Sequence, residues 1–329
     1  MAFSADGKTL ATSSKTVKLW DVATGKEKME LPVAYTALAF APDGKTLAVL
    51  GVGDEKKPGS VQLWDLTTGK KRVSMPANEL GIGSLGFTPD GKTLVSAGLR
   101  EAKEGEEGPN RNTKAAGSLE GYFCQLKLFD VATAKERATI PVSGNFSLPF
   151  FPLVFTADSR TLKTARWISD KDGKKVRVTV EHWDLATGKE VATFWTPVNP
   201  GGNHRSAGHV AGIRFAALSA DGKTVAWGGA EGKEEPLTGT AHVWEVGSLS
   251  TSPPEMPKEP PAKKPGAVFK GPGHTLHVAL TADGKIVARA GDHLVDLWDV
   301  ASGKKLHTLK GYTAPIWKVA FSPDGKTLF

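Results

Sequence analysis

Hydrophobic residues in this chain alternate with polar ones in short runs instead of recurring at helical spacing. Residues 38–74 show the pattern. Leu38-Ala39-Phe40, Thr46-Leu47-Ala48-Val49, Val61-Gln62-Leu63-Trp64 and Lys71-Arg72-Val73-Ser74 are strand-length runs, with Pro-Asp-Gly-Lys after the first and Thr-Thr-Gly-Lys after the third. Alternation with a period of two, bounded by Gly, Pro and Asp, predicts β-strands, here named a, b, c and d. The Asp-Gly and Thr-Gly pairs supply the backbone that tight hairpins need. No stretch of about 11 residues keeps a helical period, so an all-β chain is expected.

The same unit recurs along the whole sequence. A Phe or small residue followed by Asp-Gly-Lys-Thr-Leu, or a close variant, begins at Asp6, Asp43, Asp90, Asp158, Asp221, Asp283 and Asp324. In alternation with it, an aromatic-acid pair closes a β-branched run at Trp20-Asp21, Trp64-Asp65, Phe129-Asp130, Trp183-Asp184, Trp244-Glu245 and Trp298-Asp299. Self-similarity at a fixed period is the mark of a repeat architecture.

Aromatic-acid pairs ending the third strand, with Asp-Gly turns before the second, resemble the WD-repeat β-propeller family, in its bacterial form, from end to end. The resemblance implies blades of four antiparallel strands and a binding scaffold in place of an enzyme. It also implies a packing set of a His in the d-to-a loop, a hydroxyl on strand b, an Asp in the b-to-c turn and the strand c Trp. Only the last unit keeps most of this set, as His274, Asp292 and Trp298, with Ala288 where the hydroxyl would be. The strand c residues Trp20, Trp64, Trp183 and Trp244 are assigned structural roles, and most blades are expected to hold by apolar packing.

Setting aside insertions at 99–119, 197–208 and 247–266 leaves about 46 residues for each of six aromatic-acid units, near the length of one blade. Six blades are therefore expected within one domain spanning 1–329, with an incomplete seven-bladed propeller as the alternative. Ala320 to Leu328 repeats Ala2 to Leu10 with one difference. Since the first unit lacks most of its inner strand, residues 315–321 are expected to fill that place and close the ring.

Composition removes several other classes. The chain is 40% hydrophobic, enough for a sizeable core, and no apolar run reaches the length of a membrane helix. Its single cysteine, Cys124, excludes an intrachain disulfide and a cysteine-only metal site. The start of the chain lacks the basic and apolar pattern of a secretion signal, which makes the cytoplasm the default compartment. The net charge of +7 invites a nucleic-acid reading, but Lys8, Lys45, Lys92, Lys223, Lys285 and Lys326 follow Asp-Gly pairs. Each has a carboxylate close by, so they form no continuous phosphate track.

Chemistry-bearing motifs are few. Gly81 to Gly86 fits the dinucleotide fingerprint, yet Phe87-Thr88-Pro89-Asp90-Gly91 continues a strand into a hairpin where that motif needs a helix. No nucleophile elbow or phosphate loop is present. His274, His277 and His293 fall in one unit, but His274 already belongs to the packing set and His277 alternates on a strand. No metal, cofactor or catalytic residue is assigned. The rival class is an enzymatic propeller, a quinoprotein-like oxidoreductase or a hydrolase, with its site at the mouth of the central channel. The inner strand starts near Tyr35, Ile82, Phe150, Val210, Leu276 and Pro315 are mostly apolar and argue against it.

Binding is expected on the face carrying the b-to-c and d-to-a loops. Charged b-to-c insertions at 53–59, 100–120, 170–175 and 231–238 gather there, joined by the long d-to-a loop 196–208. Candidate contacts are the aromatic Phe146, Phe150 and Phe151 and the polar Asn203, His204 and Arg205. The Pro-rich stretch 250–266 reads as an extended surface excursion. A protein or peptide ligand, no nucleic acid, no membrane and a monomeric state complete the expectation.

Overall fold

The computed structural model describes residues 1–33, 37–51, 59–77, 83–101, 122–142, 152–169, 176–195, 216–231, 238–248 and 267–329. Within them the chain forms six four-stranded antiparallel blades, the arrangement of a β-propeller. Blade 1 holds β1 (Ala2–Phe3), β2 (Thr9–Ser13), β3 (Val17–Asp21) and β4 (Glu27–Leu31). Blade 2 holds β5 (Ala37–Phe40), β6 (Thr46–Gly51), β7 (Ser60–Asp65) and β8 (Lys70–Pro76), and blade 3 holds β9 (Ser84–Phe87), β10 (Thr93–Glu101), β11 (Tyr122–Asp130) and β12 (Glu136–Val142). Blade 4 follows with β13 (Leu153–Phe155), β14 (Thr161–Ser169), β15 (Val176–Asp184) and β16 (Glu190–Trp195). Blade 5 is β17 (Ala216–Leu218), β18 (Thr224–Glu231), β19 (Thr238–Glu245) and β20 (Ala267–Pro272), and blade 6 is β21 (His277–Leu280), β22 (Ile286–Ala290), β23 (Val295–Asp299) and β24 (Lys305–Leu309). Among the described residues the one helical element is a single 3₁₀ turn, Val246–Ser248.

Each strand is short because its turn is written into the sequence. In the a-to-b turn of blade 1 the Ser4 hydroxyl donates to Asp6 Oδ1 at 2.6 Å and accepts the Thr9 N–H at 2.9 Å, while Asp6 takes the Lys8 N–H at 3.0 Å. Thr88, Thr156, Ser219 and Thr281 repeat this relay with Asp90, Asp158, Asp221 and Asp283. Blade 2 has Ala41 in place of the hydroxyl, and there Asp43 takes the Thr46 N–H itself at 3.0 Å. The turn's third residue is a left-handed glycine in most blades, for example Gly7 at φ 69°, but Ser159, with φ 59°, takes that conformation in blade 4.

The c-to-d turns use a second carboxylate. Asp21, Asp130, Asp184 and Asp299 each accept a backbone N–H and a hydroxyl from a Thr or Ser three residues on, and Asp65 does so from Thr67. The tight turn inserts one extra residue, so a bulge precedes the aromatic of strand c in blades 1, 2, 3, 4 and 6. Blade 5, where a long connection replaces the turn, pairs β19 with β20 in regular register.

The described residues divide into two compact units. One comprises residues 1–161 with 184–189, the other 162–183 with 190–329. In the first, Ala11, Val17, Leu19 and Leu31 of blade 1 pack against Leu38, Leu47, Val49 and Trp64 of blade 2. A second layer joins Leu50, Leu63 and Met75 of blade 2 to Phe87, Leu94 and Phe129 of blade 3. In the second unit, Ala241, Val243 and Phe269 of blade 5 meet Val278, Val287 and Trp298 of blade 6.

One expectation is corrected in this description. Blade 1 has its own inner strand, the two-residue β1, paired Ala2 with Ala11 and Phe3 with Leu10. Residues 315–321 form no blade strand. They lead into a separate hairpin closed by a Phe321–Leu328 bridge and reciprocal Ala320–Phe329 backbone bonds. The Asp324 turn, which repeats the Ser-Asp relay, folds this segment on itself.

Candidate functional site

The two ends of each blade differ in how much of their chemistry is already committed. At the a-to-b and c-to-d end, the aspartates are bonded to their own turns. Hydroxyl and N–H donors hold Asp6, Asp90, Asp158, Asp283 and Asp324 below the usual carboxylate range, and the donors of the c-to-d turns do the same to Asp21, Asp65, Asp130, Asp184 and Asp299. The lysines of this end find carboxylates too, as in Lys285–Asp283 at 3.2 Å and Lys223–Asp221 at 4.0 Å. A carboxylate saturated in this way is a turn lock and has little left to offer a ligand.

At the other end, blade 6 carries the most elaborate polar cluster among the described residues. His274 sits in the d-to-a loop and donates its backbone N–H to Asp292 Oδ2 at 3.1 Å, with Nδ1 3.4 Å from the same oxygen. Gly273 makes this approach possible. It has φ 71°, and a Cβ there would lie 2.4 Å from Asp292 Oδ2. The loop is fixed again where Thr275 Oγ1 donates to Thr240 O at 3.1 Å.

The register corrects the sequence reading of the strand b position. In blade 1 Trp20 lies opposite Leu10, and its Nε1 donates to Thr12, two residues further along strand b, at 2.8 Å. In blade 6 Trp298 lies opposite Val287, which puts Arg289, not Ala288, at the hydroxyl position. The corresponding residues elsewhere are Val49, Ser96 and Trp227 in blades 2, 3 and 5. In blade 4 Trp183 Nε1 donates to Thr164 Oγ1 at 3.2 Å. Trp64, with Val49 at the hydroxyl position, turns instead to Gln62 Oε1 at 3.2 Å. Trp244 stacks with Trp227 at 5.9 Å, and Trp227 stacks with His242 at 5.4 Å. The strand c tryptophans are therefore anchored in blade-specific ways, Trp20 and Trp183 by an indole–hydroxyl bond.

Arg289 is completely buried. Its Nη2 donates to Pro272 O at 2.6 Å, which ties strand b of blade 6 to the end of blade 5. Burial lowers its pKa, opposed by the charges of Asp296 and Asp292. Asp296, its cross-strand partner, is also buried and accepts Thr308 Oγ1 at 2.6 Å and Lys305 Nζ at 3.0 Å. Glycines make room for the guanidinium: a Cβ on Gly271 would stand 2.6 Å from Nη2, and one on Gly239 3.0 Å from Cζ. Arg289 Nε and Nη1 and Asp296 Oδ2 are buried without a hydrogen-bond partner, so the cluster ties blade 5 to blade 6 through the Nη2–Pro272 O bond, with the nearby carboxylate charges offsetting part of the cost of burying the guanidinium.

The binding candidates Phe146, Phe150, Phe151, Asn203, His204 and Arg205 lie outside the described residues, as do the inner strand starts Tyr35, Ile82 and Val210. Leu276 is buried and Pro315 exposed. The dinucleotide-like stretch ends in β9, and a strand and hairpin turn follow where that motif requires a helix. Cys124 is a buried free thiol in β11. No group of three or more His, Cys, Asp or Glu among the described residues could hold a metal ion, and no helix is long and apolar enough to cross a membrane. Sequence reading overlooked the hydroxyl two residues before six of the seven turn aspartates, although Ser4, Thr88, Thr156, Ser219, Thr281 and Ser322 all show it.

His277, at the start of β21, is the strongest titration feature. Burial, reinforced by the nearby Lys318 charge, pushes its imidazole down to about 3 from the ordinary 6.5. The unfolded chain takes up this proton as pH falls through 6.5, whereas the folded chain resists until about 3. Stability is therefore lost across that window, by at most about 1.4 kcal/mol per pH unit for this group. His182, lowered by burial and Lys163, adds a term of the same sign. The unfolding midpoint is expected to fall between pH 7 and pH 5, and His277→Gln to flatten that fall. An equal slope in wild type and variant would contradict the assignment.

Comparison with known proteins agrees with this architecture. The WD40 family (WD domain, G-beta repeat) matches residues 1–21 and 303–329. An uncharacterized WD repeat-containing protein of Synechocystis is 45% identical over 51 residues, a stretch that covers 16% of this chain and 15% of that protein. Among solved structures, hydrazine synthase of Kuenenia stuttgartiensis aligns over 99% of this chain and 90% of its own with a TM-score of 0.67 at 17% identity, a likeness of fold alone. Repeated aromatic-acid strands, six four-stranded blades and these matches together make the chain similar to the WD-repeat β-propeller proteins.

Proposed function

We propose that this propeller is a non-catalytic scaffold that binds a protein or peptide through its b-to-c and d-to-a loops. The observation that carries this reading is the asymmetry between blade ends. The carboxylates of the tight-turn end are consumed by its own N–H and hydroxyl donors, whereas the length variation of the sequence, apart from the connection between β19 and β20, falls at the opposite end. Rigid blades carrying variable loops are how repeat scaffolds build a binding surface. His274–Asp292 and Arg289–Pro272 O support it by fixing the loop bases in blade 6.

The test compares two variants of the immobilised chain by the partners they retain. One carries Phe146→Ala, Phe150→Ala and Phe151→Ala, and the other Lys45→Ala, Lys92→Ala and Lys285→Ala in the tight turns. The reading expects a partner held by wild type and by the turn variant to be lost from the loop variant at unchanged melting temperature. Loss from the turn variant alone would contradict it. The alternative, an oxidoreductase or hydrolase site at the channel mouth, predicts a cofactor absorbance or turnover in the purified protein.

A further inference from the structure

Six tight turns carry an Asp-Gly pair: Asp6-Gly7, Asp43-Gly44, Asp90-Gly91, Asp221-Gly222, Asp283-Gly284 and Asp324-Gly325. A seventh pair, Asp172-Gly173, lies outside the described residues. Asp-Gly is a dipeptide prone to closing on itself, because glycine has no side chain to obstruct its own nitrogen as the aspartyl Cγ approaches. All six read Asp-Gly-Lys, so their sequence gives them the same tendency. Their backbone bonds are alike as well. Each aspartate Oδ1 accepts the N–H of the lysine two residues on, which lays the carboxyl group over the dipeptide, and each glycine N–H donates to the carbonyl three residues before it.

Five of the six are clamped from a second side. Ser4, Thr88, Ser219, Thr281 and Ser322 place a hydroxyl 2.6–2.7 Å from the Oδ1 of their aspartate, so the carboxyl group is held from upstream as well as downstream. Ring closure expels water from a neutral carboxyl group, and at Asp6, Asp90, Asp283 and Asp324 the hydroxyl bond favours the ionised form. Ala41 has no hydroxyl to offer. Among the described residues Asp43 is held from downstream, by the Lys45 and Thr46 N–H groups at 2.8 and 3.0 Å and by Thr46 Oγ1 at 3.2 Å. The surroundings differ in the same sense. Gly222 and Gly284 are buried, Gly7, Gly91 and Gly325 are half-buried, and Gly44 is exposed. A Cβ on Gly222 would stand 2.3 Å from Lys163 and one on Gly284 2.8 Å from Thr224, whereas nothing lies within 4 Å of one on Gly44. The Asp43 turn therefore has both the freedom and the room to rearrange.

We propose that Asp43-Gly44 is a self-modification site, where aspartate converts to isoaspartate through a cyclic imide. The Gly44 nitrogen leaves Ala41 O and attacks Asp43 Cγ. The N–Cγ bond forms, the nitrogen gives up its proton, and one carboxyl oxygen departs as water. A second water opens the ring. Its addition at the Asp43 main-chain carbonyl carbon breaks the bond to the Gly44 nitrogen, which leaves the chain running through Cβ and Cγ and the old carbonyl carbon as a free carboxylate. Addition at Cγ returns aspartate. One water is lost and one regained, with no oxidant or cofactor consumed. The site lies at the opposite end of blade 2 from the loops proposed to meet a partner, so the two readings stand or fall separately.

Ageing of the full chain at mildly acidic pH, followed by peptide mapping with electron-transfer fragmentation, reads isoaspartate at each pair. Asp43 is expected to convert about tenfold faster than any of the five clamped aspartates, the rate effect of one hydrogen bond to a charged group. In urea the six rates are expected to converge. Ala41→Ser, which installs the missing hydroxyl, is expected to slow conversion at Asp43 about tenfold. The ranking within wild type holds however that variant folds. A rate at Asp43 no higher than at Asp6 or Asp90, a ranking that persists in urea, or an unchanged rate in folded Ala41→Ser would overturn the proposal.

Discussion

Replacing Arg289 by alanine is expected to lower the unfolding free energy by about 2–4 kcal/mol, the loss of a charge-assisted hydrogen bond together with the emptying of a buried space. Three losses combine. Pro272 O loses its 2.6 Å donor, Asp296 loses the facing cation, and the glycine-rimmed space around the guanidinium empties. Asp296 keeps Lys305 and Thr308, so the residual charge is not stranded, which places the expected loss toward the lower part of the range. Urea unfolding of wild type and Arg289→Ala at pH 7 measures the difference. A loss below about 1 kcal/mol would mean that the desolvated guanidinium contributes nothing net, and that blades 5 and 6 are held by their apolar layer alone.

Phe129→Ala is expected to cost a similar amount, about 3–5 kcal/mol, for a different reason. Phe129 stands at the strand c aromatic position of blade 3, is fully buried, and packs in the layer with Leu63, Met75, Phe87 and Leu94. Truncation there leaves a cavity between two rigid sheets that close only partly around it. Trp20→Ala supplies the internal comparison. Trp20 is half-buried, and its chief polar contact is the 2.8 Å bond to Thr12, so its loss is expected to be smaller despite the larger ring. Parallel denaturation of both variants decides the order. If Trp20→Ala were the more damaging, the indole–hydroxyl bond and not interblade packing would be the main tie at this position.

The backbone plan was legible in the sequence because turns and strands are local matters. Asp-Gly-Lys and Asp-x-x-Thr-Gly-Lys fix hairpins through bonds within six residues, and alternation fixes which face is buried. The hairpin starting at Ala320 shows where locality ends. Its sequence says that it repeats the start of the chain, but whether it fills blade 1 or folds on its own depends on the competing strand Ala2–Phe3. The packing set failed by one residue for a related reason. Counting along strand b pointed to Ala288, whereas the register opposite Trp298 selects Arg289. A buried arginine carries no sequence signal of burial, since it is the glycines at 239, 271 and 291 that make room for it. The aromatic and polar loop residues proposed to meet a ligand were chosen on composition, and residues 143–151 and 196–215 lie outside the described structure.

Hydrogen exchange of the chain, free and bound to the partner recovered on the immobilised protein, tests the scaffold reading most directly. Binding through the loops predicts slowed exchange in segments 102–121, 143–151, 170–175 and 196–215, with the Asp43–Lys45, Asp90–Lys92 and Asp283–Lys285 turns unchanged. Slowed exchange confined to those turns would place the partner on the opposite end of the blades and contradict it.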